Sequence, residues 1–372
     1  MTHAVIEEDL LRINAEDLPW SNLSGKTVLI AGAAGFLPAY MVQSILCRND
    51  RRLGPPTRVI AMVRNAAQIQ SRFADFSGRP DLEMVVQDVC DGPPHVTCDV
   101  HVVIHAASQA SPKFYGRDPV GTLAANVIGT QNLLKLAHDR ASERFLYFSS
   151  SEVYGELAPH QVPVREDQFG YLNPATVRAC YGEGKRAGET LCVSWHHQYG
   201  VPAIIVRPFH TYGPGMAADD GRIYADIVAD VVAGRNVVMK SDGSARRAFC
   251  YLADAVAGFF TALLRGKPGE AYNVGNDRAE LSVLELTESV ISLFPERGLR
   301  VVRIARSDAE SPGYIGSVVS RVCPDITKIA ELGWRPTTGI EEGFRRTIEW
   351  AASSSAYGAE GILTAPNNPG LV

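Results

Sequence analysis

The chain has 372 residues, 46% of them hydrophobic and 21% charged, which is enough to bury one large core or two intimately joined ones. The net charge of −5, with no run of lysine or arginine, argues against a nucleic-acid partner, and no apolar run approaches the ~18–20 residues that span a bilayer. The seven cysteines are scattered without a C-x-x-C pair and read as reduced thiols of a cytoplasmic protein, so no disulfide frame and no metal site are expected.

Residues 1–24 read as an N-terminal arm. They are acidic and lack the apolar stretch of a secretory signal, and a short amphipathic piece can pack on the body or on a partner. From Lys26 the pattern becomes strand, turn, helix, repeated. Apolar runs at 27–32, 58–64, 82–89, 99–107, 144–150 and 202–208 are separated by helical stretches such as 121–139. Runs without alternation mean that both faces of the sheet are covered. The expected fold is therefore α/β, a parallel doubly wound sheet of the Rossmann type over residues 25–206. Residues 207–350, richer in Gly, Pro and charge, read mainly as a smaller α/β substrate-binding lobe with segments returning to the first domain. Residues 351–372 read as a flexible tail.

The first strand runs into Ala31-Gly32-Ala33-Ala34-Gly35-Phe36-Leu37-Pro38. Gly32 permits a tight turn and Gly35 a close approach of backbone to a pyrophosphate. The following helix aims its first N–H groups, those of Phe36 and Leu37 among them, at that anion. Pro38 stands where a third glycine is usual, a place in the first helical turn that proline tolerates. The second strand ends at Arg64, where an acidic residue would bind the adenosine ribose of NAD. Arg64 either faces a 2′-phosphate, stacks on adenine or points to solvent, so NAD and NADP both stay open. Asp88 and Val89, after the third strand, fall where the adenine is expected. Ala106 and Ala107, at the end of the fourth, complete the candidate cofactor residues.

The strand at 144–150 ends in Ser149-Ser150-Ser151-Glu152. Ser150 can hydrogen-bond a substrate hydroxyl and Glu152 can serve as an acid or base at a neighbouring carbon. Ser149 and Ser151 are equally suited to capping. Tyr181 and Lys185 follow, four residues apart on one helical face. A nearby ammonium favours the phenolate, which makes Tyr181 a candidate general base for a sugar or alcohol hydroxyl. The Asp219-Asp220-Gly221-Arg222 sequence reads as a solvent-facing loop and not a metal site; Arg222 itself is retained as a candidate substrate residue.

The stretches IHAASQASPKFYGRDPVGTLAANVIGTQNLLKLA, SSSEVYGE, RACYGEGKRAGETL, DDGRIYADIV and GSARRAFCYLAD resemble the extended short-chain dehydrogenase/reductase superfamily, over residues 26–350. The nearest pattern is that of its UDP-glucuronate decarboxylases. The resemblance implies a nucleotide-sugar substrate, tightly held NAD and a homodimer paired through the helices near 121–139 and 177–199. It implies that Tyr181 deprotonates the C4 hydroxyl, that Lys185 lowers the tyrosine's pKa and binds the nicotinamide ribose, and that Ser150 orients the hydroxyl. Ser151 replaces the acid of the 4,6-dehydratases, and Glu152 is absent from simple epimerases. By the same resemblance Arg247 clamps the pyrophosphate, while Ser151, His210 and Arg321 touch substrate. His210 replaces an amide, Gly215 an arginine, and Arg321 is what remains of a basic cluster. Decarboxylation, C4 epimerisation, C4 oxidation or dehydration are the reactions implied, in that order. A catalytically silent cofactor-binding sensor or scaffold is the alternative of another class.

Overall fold

The computed structural model describes residues 3–239, 241–304, 319–354 and 357. The chain opens with helix α1 (Ala4–Ala15), then β1 (Thr27–Ala31), α2 (Phe36–Asp50), β2 (Arg58–Val63), α3 (Ala66–Phe73) and β3 (Leu82–Val86). It continues with β4 (Val102–His105), α4 (Pro119–Asp139), β5 (Arg144–Phe148), α5 (Ala179–Tyr199) and β6 (Ala203–Pro208). These six strands are parallel and stand in the order β3-β2-β1-β4-β5-β6. That is the dinucleotide-binding order, with its reversal between β1 and β4, and the ligand crevice lies outside the carboxyl ends there. β1 is buried along its whole length, as a strand covered on both faces must be.

Local chemistry sets the helix ends that frame this crevice. Gly35 caps α2 in an extended conformation and Pro38 sits in its first turn. Asp118 accepts a hydrogen bond from the Gly121 N–H at the start of α4, ahead of Pro119 at the first helical position. α5 stops at Gly200, whose φ of 72° is left-handed. α4 and α5 pack against each other, and α5 lies so close to the sheet that a Cβ on Gly188 would fall 2.1 Å from the Tyr147 hydroxyl.

The second half of the chain supplies β7 (His210–Tyr212), α6 (Ile223–Val232), β8 (Val237–Met239) and β9 (Arg246–Tyr251), followed by α7 (Leu252–Arg265) and β10 (Ala271–Val274). β11 (Glu280–Ser282), α8 (Val283–Ser292), β12 (Val301–Arg303), β13 (Arg321–Val322), α9 (Thr327–Ala330) and α10 (Ile340–Ser353) complete it. β9 is the centre of a small sheet with β7, β11 and β13, and β8 pairs with β12. β10 returns to the large sheet as a seventh parallel strand beside β6. α7 is buried almost throughout and packs on the large sheet, where Phe259 meets Phe148 edge-on at 4.7 Å.

The arm packs on the body. α1 lies against α2, α7 and α10, with Asp9 fully buried. The Asp9 carboxylate accepts from the Tyr251 hydroxyl at 2.7 Å and from the Tyr40 hydroxyl at 3.3 Å, and pairs with Arg346 at 2.8 Å. At the other end α10 runs to Ser353, and Tyr357 is buried with its hydroxyl donating to the Met216 carbonyl. The rest of the expected tail lies outside the described residues.

Candidate active site

A cavity of about 750 Å³ opens at the carboxyl ends of β1, β4, β5 and β6 and is roofed by the small sheet. One end is made by the Gly-rich turn. Gly32 has a φ of +78°, and a Cβ there would lie 2.7 Å from the Ala107 backbone, so only glycine fits this strand-to-helix turn. Gly35, Phe36, Leu37 and Pro38 line the cavity with the start of α2, and Ala106 lines it from the end of β4. A glycine-only turn, a 15-residue helix beginning at the cavity wall and the strand reversal beside it together fit a dinucleotide. Asp88 is spent on capping a short helical turn by accepting from the Cys90 N–H, and Val89 is buried against Gly129 of α4. Arg64 is exposed just past β2, outside the cavity lining.

The middle of the cavity is the end of β5 facing α5. Ser149, Ser150, Ser151 and Glu152 line it from one side, Tyr181 and Lys185 from the other. Tyr181 is buried and stacked on Tyr115 at 5.0 Å, with Ser150 close enough to act on its phenol. Burial and then the Glu152 carboxylate push its phenol up to about 12, against Ser150, Arg222 and Arg178. Lys185 is not among the largest influences on it. The Lys185 ammonium lies 5.7 Å from the Tyr181 ring centroid and donates instead to the Phe148 carbonyl at 2.6 Å. Burial brings Lys185 down to about 7, opposed by Glu189 and Cys192.

Glu152 is gripped by a residue that sequence reasoning missed. Arg178 donates to both carboxylate oxygens, at 2.7 and 2.8 Å, and its guanidinium lies over the Tyr115 ring at 4.7 Å. A bidentate, half-buried pair of this kind fixes a carboxylate in place. The available signal was spacing, since Arg178 lies three residues before Tyr181. Tyr115, from the short turn after β4, gave none.

The far wall carries the remaining candidates. His210 lines the cavity edge-on to Phe249, its Nδ1 buried without a partner; burial, Arg247 and Arg222 hold its ring down at about 3, as a neutral imidazole. Arg247 lines the cavity and donates to the carbonyls of Arg246, Val319 and Ser320. The loop expected to face solvent does so only in part. Asp219 is exposed and pairs with Lys113, whereas Arg222 pairs with Asp220 and turns into the cavity wall. Arg321 is not brought to the cavity. Its guanidinium forks onto the Glu280 carboxylate at 2.7 and 2.9 Å, and it tethers β13 to β11. Among the described residues no cluster of three metal-type side chains occurs, and no helix is long and apolar enough to cross a membrane.

The NAD dependent epimerase/dehydratase family profile matches residues 28–275. UDP-glucuronic acid decarboxylase 5 of Arabidopsis thaliana is 35% identical over 322 residues, which cover 86% of this chain and 87% of that protein. UDP-glucuronic acid decarboxylase 1 of Danio rerio is 33% identical over 328 residues, 87% of this chain and 72% of its own. Among solved structures, UDP-glucuronic acid 4-epimerase from Bacillus cereus, in complex with UDP-glucuronic acid and NAD, superimposes with a TM-score of 0.71. That match has 21% identity and covers 87% of this chain and 98% of that one. The dTDP-glucose 4,6-dehydratase of Bacillus anthracis in complex with NAD gives 0.71 at 19% identity, covering 90% and 98%. At such identities the likeness is one of fold.

Proposed function

Because the chain belongs to the NAD dependent epimerase/dehydratase family, we propose that it oxidises C4 of a UDP-uronic acid and decarboxylates the product. The carrying observation is its 35% identity, over 86% of its length, to a UDP-glucuronic acid decarboxylase, joined to the Ser150–Tyr181 and Glu152–Arg178 pairs in one cavity. Gly32, Gly35, Phe36, Leu37 and Ala106 would hold the cofactor, which is NAD. When bound, NAD would supply the hydride acceptor for C4 and, in its reduced form, the hydride that returns to the C4 ketone after CO₂ has left, with Tyr181 giving the proton back to the C4 oxygen.

The residues of this chain handle the protons. Ser150 orients the C4 hydroxyl by hydrogen bond, and Tyr181 takes its proton. Lys185, at the other end of the same helical turn, supplies the nearby positive charge that favours the phenolate. A C4 ketone makes the C6 carboxylate a β-keto acid. The C5–C6 bond then breaks, CO₂ leaves, and the electron pair moves to the C4 oxygen as an enolate. The protonated Tyr181 and Ser150 stabilise that enolate by hydrogen bonds. Glu152, fixed by Arg178, governs the proton that returns to C5. Ser151 offers no acid for a departing C6 hydroxyl, which disfavours dehydration. Arg222, His210 and Arg247 form the wall for the nucleotide diphosphate.

Incubation with UDP-glucuronate and mass analysis of the nucleotide sugar is the test. The expected product is lighter by one CO₂. A product lighter by one water, or an isomer of unchanged mass, replaces decarboxylation by dehydration or epimerisation. No reduction of bound cofactor by any of a panel of UDP-, GDP-, CDP- and dTDP-sugars would leave a silent binding protein.

A further inference from the structure

One buried charged group inside the fold has no part in the chemistry above. Glu189 lies on α5 four residues beyond Lys185 and is 8% exposed. Both its oxygens are taken by Arg207 of β6, at 2.8 and 2.7 Å, and Arg207 is 3% exposed. The Ser149 hydroxyl donates to the same carboxylate. Arg207 also donates to the Tyr154 hydroxyl and to the Glu166 carbonyl, both at 2.9 Å. The two α5 side chains therefore grip consecutive residues at the end of β5, Lys185 on the Phe148 carbonyl and Glu189 on Ser149. The next residue is Ser150.

A buried ion pair of this kind is poor value as a stabiliser. Desolvation of two charges offsets most of their attraction, and an apolar pair of equal volume would serve the fold as well. The position of the carboxylate supplies another use. Around the Lys185 ammonium stand Tyr147 of β5, Tyr181 and Cys192 of α5 and His105 of β4. Around Glu189 stand Ser149, Arg207, Tyr147, Tyr154 and Cys192. His105 and the three tyrosines are held neutral by burial, and Cys192 is likewise pushed toward the thiol. Glu189 is thus the carboxylate facing a lysine that burial would otherwise discharge.

We propose that Glu189, fixed by Arg207, is a positioning residue that keeps Lys185 an ammonium ion and sets the end of β5 so that Ser150 faces Tyr181. The inference rests on the family chemistry of Ser150, Tyr181 and Lys185 and not on which sugar is decarboxylated. Arg207 reaches the carboxylate from β6, on the side of Tyr154 and Phe169, and fixes its place.

The test needs no substrate. Lysine labelled at Cε is followed by carbon NMR across pH in the cofactor-free protein, with the Lys185 signal assigned by its loss in Lys185→Arg. Glu189→Gln is expected to lower the Lys185 midpoint by about 1–3 units, the effect of removing one opposite charge at close range. Glu189→Asp should restore most of it. To avoid an orphaned Arg207, Glu189→Gln/Arg207→Met is measured in parallel and should show the same downward direction. In the holoenzyme with its active sugar, Glu189→Gln should lose more activity relative to the parent at pH 8 than at pH 5, where Lys185 begins to regain its proton. A Lys185 midpoint unchanged in whichever variant folds overturns the proposal, as does failure of both variants to fold, which would give the pair a purely structural role. If no sugar turns over, the functional reading fails while the midpoint still decides this one.

Discussion

At the scale of single residues, the cavity is arranged around one phenol. Tyr181→Phe removes one hydroxyl and keeps the ring stacked on Tyr115, so fold and NAD binding should persist while turnover falls by about 10²–10⁴-fold. Steady-state rates beside a calorimetric NAD titration check this, and wild-type turnover would remove Tyr181 from the reaction. Lys185 carries a stability signature of its own. Its folded value of about 7 lies below the ordinary 10.5, so the unfolded chain binds more protons between those values and stability rises with pH across them. The contribution is complete above pH 10.5 and is lost as pH falls through 7. Lys185→Met has no charge to bury. It should melt above the parent at pH 7 and lose that advantage on approaching pH 10.5. Parallel melting curves of the cofactor-free proteins across this range measure the effect, and a difference independent of pH would contradict it.

At the scale of elements, the turn between β1 and α2 shows what a sequence discloses. The strand-glycine-helix order was legible because it is local, and Gly32 does take the left-handed conformation such a turn demands. Gly32→Ala combines that backbone strain with a clash at Ala107, and it should abolish NAD binding and cost about 2 kcal/mol or more of stability. Denaturant melts with NAD titration test both, and retained NAD affinity would free the turn from its role. The pairing of Tyr181 with Lys185 was legible for the same reason, being one helical turn. What pairing across distant segments decides was not. Arg321 reads as a substrate contact until β9 is seen to hold β13 and β11 on its two sides, which brings Arg321 to Glu280. Arg178 and Glu189 sit at helical spacing on either side of the Tyr181–Lys185 pair, yet their partners Glu152 and Arg207 come from other elements. The parallel sheet was evident from its apolar runs, whereas β10 is a four-residue strand whose membership depends on α7 carrying it back to β6.

At the scale of the whole molecule, α4 and α5 leave apolar side chains in solvent: Val120, Leu123 and Ile128 on the first, Val193 and Tyr199 on the second. We propose that this face pairs two copies of the chain. Leu123→Arg with Val193→Arg should weaken association at least tenfold, ~1.4 kcal/mol. Light scattering across a dilution series reads this directly, and a parent protein that is monomeric throughout would sink the proposal. The Asp9 cluster has a different consequence, one of timing. Asp9 is synthesised 337 positions before its partner Arg346. Until α10 is made, the arm carries a carboxylate with no cation to meet it, and β6 waits for β10 at the sheet edge. Burial of α1 is therefore a closing event of biosynthesis, and a nascent chain halted before residue 346 should leave the arm open to protease while the early β-α-β units are already protected.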